Sequence, residues 1–138
     1  MHIRPARPTD FDAIATLTNR SIVGSAIHFG YDPVSGEELR ELWSAKRDRY
    51  PWLVAHLDDG SFAGYAKAGV WRERAAYAWV VETAVYVEPS AHRRGVGKAL
   101  YTRLLEGLRA QGYHAAVAGI TLPNDASVRL HESVGFAF

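Results

Sequence analysis

The chain has 138 residues, 48% of them hydrophobic and 22% charged, which suits one folded domain with a packed core and argues against disorder. A net charge of +1 gives no broad basic surface for nucleic acid, and no apolar run is long enough to span a membrane. There is no cysteine, which excludes disulfides, cysteine nucleophiles and thiolate metal sites, so a cytosolic single domain over residues 1–138 is the default.

His2 to Ala6 reads as a short edge strand closed by Pro5 and Pro8. Thr9 or Asp10 can cap a helix carrying Phe11, Ile14, Leu17 and Ile22 at helical spacing. Gly24 to Gly36 follows as a loop; its Phe29 and Tyr31 either pack on the core or line a pocket. Ser35 and Glu38 have the spacing of a capping box, and Leu39, Leu42 and Trp43 mark the apolar stripe of the helix it opens, which ends before Pro51. Trp52 to Leu57 is the next strand, Asp58-Asp59-Gly60 a hairpin turn, and Phe62 to Trp71 the returning strand. After the charged loop Arg72-Glu73-Arg74, the run Trp79 to Val87 completes an antiparallel meander.

That last run is almost unbrokenly apolar and is interrupted by one carboxylate, Glu82, so it reads as a strand buried on both faces with one isolated carboxylate. Such a carboxylate is costly to bury charged, and its pKa should rise toward the range of a base working near neutrality. Next come His92, Arg93, Arg94, Gly95, Val96, Gly97 and Lys98, then Leu100, Leu104, Leu105 and Leu108 at helical spacing, with Gly112 past the end. Strand, glycine loop with cations, and helix bring backbone N–H groups and a helix N-terminus to one spot, as a phosphate requires. The glycines let the backbone approach, and a side chain at Gly97 should obstruct it. A P-loop is excluded, because His92 and Ala99 stand where it needs glycine and Ser or Thr; Leu100 stands where a dinucleotide fingerprint needs Gly or Ala. What remains is a pyrophosphate cradle after a mid-chain strand.

Tyr113 to Ile120 is a further strand, reached through a helix and so parallel to the Trp79 strand. Asn124 or Asp125 caps a final helix bearing Val128, Leu130, His131 and Val134, closed by Gly135; Ser127 and His131, four apart, share a face. His131 alone is more often an ordinary histidine. No metal-ligand spacing occurs, so no metal is expected.

Together, the glycine loop and Asn124, Ser127, His131, Gly135 and Phe136 resemble the GNAT acetyltransferase superfamily, whose patterns are Q/R-x-x-G-x-G/A and N-x-x-A-x-x-x-Y-x-x-x-G-F. YPWLVA (50–55), W-x-x-E-x-x-V-Y-V (79–87), LYTRLLEGLRAQGY (100–113) and LPNDASVRLHE (122–132) are similar to its phosphinothricin N-acetyltransferase branch. The resemblance implies an α/β GNAT fold, a mixed and mostly antiparallel sheet with helices on both faces. It implies acetyl transfer from acetyl-CoA to the primary amine of a small amino-acid-like acceptor, and a homodimer is expected. Carried over by residue, the backbone of the Val85-Tyr86-Val87 stretch pairs with the pantetheine arm. Arg93, Arg94, Gly95, Val96, Gly97 and Lys98 cradle the pyrophosphate, and Asn124 and Ser127 lie at the cofactor. Glu82 matches the general base and His131 the catalytic histidine. The second pattern is met with Ser127 for Ala and His131 for Tyr; further departures are His92 for Gln or Arg, and Ser21 and Lys67 where tyrosines are usual, which bears on the acceptor.

An ammonium acceptor must lose a proton before it attacks a thioester, the task of Glu82. His131 relays that proton or protonates the departing thiolate, and a strand N–H left free by a local splay stabilises the oxyanion. Phe29, Arg72, Arg74 and Tyr77 are the acceptor-binding candidates, with the arginines placed to take its carboxylate. Competing readings are a GNAT enzyme acting on a protein N-terminus or polyamine, and a silent acyl-CoA-binding module. In the family two more strands follow Gly135-Phe136; only Phe136 to Phe138 stand here, so a longer natural chain or a covering second chain is expected.

Overall fold

Alternating apolar strands and one leucine-striped helix build a single mixed sheet. The computed structural model describes residues 1–23, 33–70, 80–91, 94–117 and 125–136. Strands β1 (His2–Pro5), β2 (Trp52–His56), β3 (Phe62–Val70), β4 (Val80–Val87) and β5 (Ala115–Val117) lie in the order β1-β2-β3-β4-β5. The first four are antiparallel neighbours, and β5 runs parallel to β4, as its arrival through a helix requires. Phe29, Tyr31, Arg72, Arg74, Tyr77, His92, Arg93 and Asn124 lie outside the described residues, as do residues 118–120 of the strand expected to reach Ile120 and the side chain of Ser127.

Helices α1 (Phe11–Val23) and α2 (Gly36–Lys46) cover one face of the sheet. Their Phe11, Ile14, Leu17, Leu39 and Trp43 pack on Trp52, Val54 and Tyr65. A 3-10 turn, Pro8–Asp10, leads into α1, and Asp10 accepts both Arg4 guanidinium nitrogens at 2.8 Å. Ser35 caps α2 by accepting the Glu38 N–H at 3.0 Å, as its spacing predicts. Leu42 departs from the expected stripe: it is 66% exposed, against 4% for Leu39 and 5% for Trp43. Leu39 and Trp43 are four apart and share the buried face, while Leu42 falls on the flank and overhangs a cavity.

Helix α3 (Val96–Ala110) covers the opposite face. Val96, Leu100, Leu104 and Leu108 form an i, i+4 ridge lying on Ala55, Ala63, Ala66 and Ala68, whose small side chains let the helix approach. Burying each leucine contributes roughly 1.5–3 kcal/mol. Ala63 and Ala66 share this face despite their odd spacing because the β2–β3 register shifts between Ala55 and His56, a bulge that resets the alternation.

β4 is not buried on both faces. Val81 and Thr83 are buried toward α3, Glu82 is exposed, and the remaining residues are half-buried. The expectation of a buried, costly carboxylate at Glu82 is therefore corrected: the α1/α2 side of the sheet opens into a cavity at this position. Helix α4 (Asp125–Ser133) touches α3 and ends in a Schellman motif, with Gly135 N–H donating to Glu132 O at 3.1 Å and Phe136 N–H to His131 O at 3.0 Å.

Candidate active site

The N-terminus of α3 has no side-chain cap. Its N-cap, Gly95, has φ +76° and no side-chain acceptor, so nothing from the cap satisfies the first N–H groups of Val96, Gly97 and Lys98. A left-handed φ of this kind favours glycine, and the space where a Cβ would stand is open. Val96 is buried and anchors the turn, while Arg94 and Lys98 are exposed beside it. Gly97 has a different role from the expected one. A Cβ there would lie 3.1 Å from Leu130 Cδ2 and 3.5 Å from Val87 Cγ2, so this glycine lets α3 pack against α4 and β4.

The direction of the β4 backbone fits the second expected contact. Glu88 N–H donates to Ala63 O at 2.8 Å, and the β3–β4 register is regular from Val87↔Gly64 to Val81↔Val70. With a period of two, Glu82, Ala84 and Tyr86 turn their backbone groups toward β3, whereas Thr83, Val85 and Val87 turn theirs toward β5. Among the described residues the β4–β5 ladder ends at Glu82↔Val117. Val85 turns its backbone groups to the β5 side of β4, past the last described pair of that ladder. Tyr86 has its backbone turned the other way, and its ring stacks on Tyr65 at 5.0 Å in the α1/α2 core.

The same alternation sets the side chains. Glu82 projects into a cavity of about 360 Å³ lined also by Leu42, Tyr50, Trp52, Lys67, Gly69 and Ala84. Lys67 lies half-buried beside it, its Nζ 5.4 Å from the centre of the Trp52 ring. Burial pushes the Lys67 ammonium below its usual range, and the Glu82 charge opposes that shift. Burial likewise raises Tyr86, with Glu82 adding to it. Another cavity, about 360 Å³, lies between the end of α3, β5 and the α4 terminus, and its described lining holds no carboxylate.

His131 stands on the other face of β4. It is 7% exposed, and its Nε2 is 2.7 Å from Tyr101 Oη, which accepts the Thr83 hydroxyl at 3.5 Å. Burial raises Tyr101 to about 12, opposed by the Thr83 hydrogen bond, so its hydroxyl stays protonated, and the imidazole tautomer sets which of Oη and Nε2 donates. Phe136 closes the cluster, its ring 5.3 Å from His131 and 5.7 Å from Tyr101.

Glu82 and Lys67 thus meet in one cavity, and the α3 N-terminus and His131 lie on the opposite side of the sheet. Sequence reasoning missed Tyr101 and Thr83. The signal for Tyr101 was its place four residues after Gly97 and three before Leu104, inside the apolar stripe. Among the described residues no group of three or more His, Asp or Glu gathers as a metal site would require.

Residues 18–136 match the Acetyltransferase (GNAT) family. The chain is 45% identical to a phosphinothricin N-acetyltransferase of Streptomyces viridochromogenes, over 99% of this chain and 74% of that one. It is 37% identical to an L-methionine sulfoximine/L-methionine sulfone acetyltransferase of Salmonella typhimurium, over 99% and 80%. Among solved structures, a GNAT superfamily phosphinothricin acetyltransferase from Sinorhizobium meliloti in complex with acetyl-CoA superposes with a TM-score of 0.90 at 30% identity, covering 97% of this chain and 73% of that one.

Proposed function

The chain belongs to the GNAT acetyltransferase family, and from that premise we propose that it acetylates the primary amine of a small amino-acid-like acceptor, of the phosphinothricin or methionine sulfoximine kind, at the expense of acetyl-CoA. The observation that carries the reading is a division of labour across β4. An uncapped helix N-terminus with flanking cations lies on one side, and a carboxylate facing a cavity on the other.

Acetyl-CoA supplies the activated thioester. The N–H groups of Val96, Gly97 and Lys98 hold the pyrophosphate, with Arg93, Arg94 and Lys98 adding charge. The backbone edge of Val85 and Val87 takes the pantetheine amides, and Asn124 and Ser127 contact the arm nearer its thioester. Glu82 accepts a proton from the acceptor's ammonium and leaves a nucleophilic amine. The oxygen that gains negative charge meets a backbone N–H on the β5 edge of β4, from Val85. Of the two roles expected for His131, its placement favours the one on the thiol side: with Tyr101 it delivers a proton to the departing sulfur. Phe29, Arg72, Arg74 and Tyr77 complete the acceptor site.

Release of free thiol from acetyl-CoA, followed across a panel of amines, tests the reading. Turnover with phosphinothricin or methionine sulfoximine at least about tenfold above a polyamine or a peptide N-terminus is expected. Binding of acetyl-CoA with no amine-dependent thiol release would overturn it in favour of a silent acyl-CoA-binding module.

A further inference from the structure

We infer that Lys67 is the cation that receives the acceptor's α-carboxylate, so that Lys67 and Glu82 together read an α-amino acid as a zwitterion. The inference rests on the reading of the Glu82 cavity as the acceptor site. Lys67 and Glu82 project from neighbouring strands into that one cavity. In the β3–β4 register Lys67 stands opposite Ala84, and Glu82 opposite Gly69. The two charges are therefore diagonal neighbours, whose backbone positions are roughly 7–8 Å apart. Each faces a side chain too small to touch it. A Cβ built at Gly69 meets nothing within 4 Å, so the space across from the carboxylate is open.

Lys67 and Glu82 form no ion pair with each other: the salt bridges among the described residues lie elsewhere. Lys67 is instead flanked on its β2 side by Trp52, its direct register partner, whose ring lies under the ammonium. An aromatic face orients a cation and satisfies none of its hydrogen-bond donors. A half-buried ammonium with no hydrogen-bond partner among the described residues, beside a carboxylate with which it forms no ion pair, leaves a salt-bridge network incomplete. An α-amino acid completes it, because its ammonium and carboxylate are one carbon apart and bear the complementary charges. The ammonium falls to Glu82, where it must be deprotonated, and the carboxylate to Lys67. This assignment leaves Arg72 and Arg74 for a second anionic group, such as a phosphinate. It also explains why the desolvation that weakens the Lys67 charge is tolerated: an incoming carboxylate offsets it.

The test compares an L-amino acid acceptor, methionine sulfoximine, with its own α-carboxamide, using the full chain and saturating acetyl-CoA. The parent should prefer the acid in kcat/KM by about 50-fold or more, the scale on which a site built for a polar group rejects its absence. Lys67→Met should bring that preference within about threefold, through a higher KM for the acid and little change for the carboxamide, and Lys67→Arg should restore most of it. A merely structural lysine predicts a different pattern, an equal loss on both acceptors and a lowered melting temperature. Either that pattern or an undiminished acid preference in Lys67→Met would overturn the inference. A parent that acetylates both acceptors equally refutes this inference alone; a parent that acetylates neither, nor any other amine, refutes the acceptor-site reading and this inference with it.

Discussion

Replacing Gly97 separates two accounts of the glycine loop. If its lack of a side chain serves the approach of a pyrophosphate, any larger residue should abolish acetyl-CoA binding and spare the fold. The contacts say otherwise, because a Cβ at this position points at Leu130 Cδ2, 3.1 Å away, and Val87 Cγ2, 3.5 Å away. For Gly97→Ala, Leu130 must yield by a few tenths of an ångström, an overpacking cost near the low end of about 1–3 kcal/mol. Alanine returns about 1 kcal/mol of helix propensity, so the net change should be within about 1 kcal/mol. The backbone N–H remains, and acetyl-CoA affinity should stay within about threefold. Gly97→Val adds two further carbons to the same gap and should destabilise by about 1–3 kcal/mol, while pushing α4 and with it His131 away from α3. Urea unfolding with the m-value held as a control gives the stabilities, and titration calorimetry gives the affinities. A valine variant that unfolds at the parent's midpoint yet no longer binds acetyl-CoA would show that the side chain points at the cofactor, and the packing account would be wrong.

Glu82→Gln should lower kcat by about two orders of magnitude or more, with acetyl-CoA affinity unchanged within a few-fold, since the cradle lies across the sheet from this side chain; steady-state kinetics beside calorimetry checks both, and a fully active variant would remove Glu82 as the base. Burial raises the Tyr101 phenol from 10 to about 12, so its neutral form is favoured in the fold: the stabilisation is complete below pH 10 and is lost as pH rises toward 12. The loss approaches about 3 kcal/mol at about 1.4 kcal/mol per unit. Tyr101→Phe should therefore show a shallower decline of its urea midpoint across that window than the parent, and an identical slope would refute the assignment.

Much of this arrangement is legible in the sequence, and the misreadings have identifiable physical causes. The i, i+4 leucines of α3, the Ser35 cap and Gly112 could be read directly because each depends on local spacing. Gly112 donates to Arg109 O at 3.0 Å and Tyr113 to Leu108 O at 3.2 Å, the two bonds of a Schellman motif. The Val134-Gly135-Phe136 ending repeats that motif, with the His131 and Phe136 rings in contact across it. Exposure at Glu82 was not legible. An apolar run states what a strand can bury, and what covers each face depends on a helix elsewhere in the chain. Here α2 turns Leu39 and Trp43 inward and leaves Leu42 over the cavity mouth. The bulge between Ala55 and His56 puts the extra residue, Ala63, on β3 beside Gly64, and that strand-interior glycine was the mark the sequence carried for it. Lys67 registered in the sequence only as a departure from a pattern. Its pairing with Trp52 and its diagonal to Glu82 depend on strand register.

The separation of Glu82 from Thr83, whose side chain meets the Tyr101–His131 pair, follows from one property of β4, its period of two. Even-numbered residues from Glu82 to Tyr86 send side chains toward the α1/α2 face and backbone groups to β3. Odd-numbered residues from Val81 to Val87 send side chains toward α3 and backbone groups to the β5 edge. One strand can thereby present a base to the acceptor and an amide edge to the acyl donor, with no residue asked to do both. On the proposed roles, a proton removed at Glu82 and a proton delivered from Tyr101 and His131 need never share a path, because the two groups lie on opposite faces of the sheet. The arrangement is also brittle. A single residue inserted between Glu82 and Val85 would keep the composition of the strand and exchange the faces of everything beyond it, turning the Val85 amide edge into β3 and its side chain into the cavity.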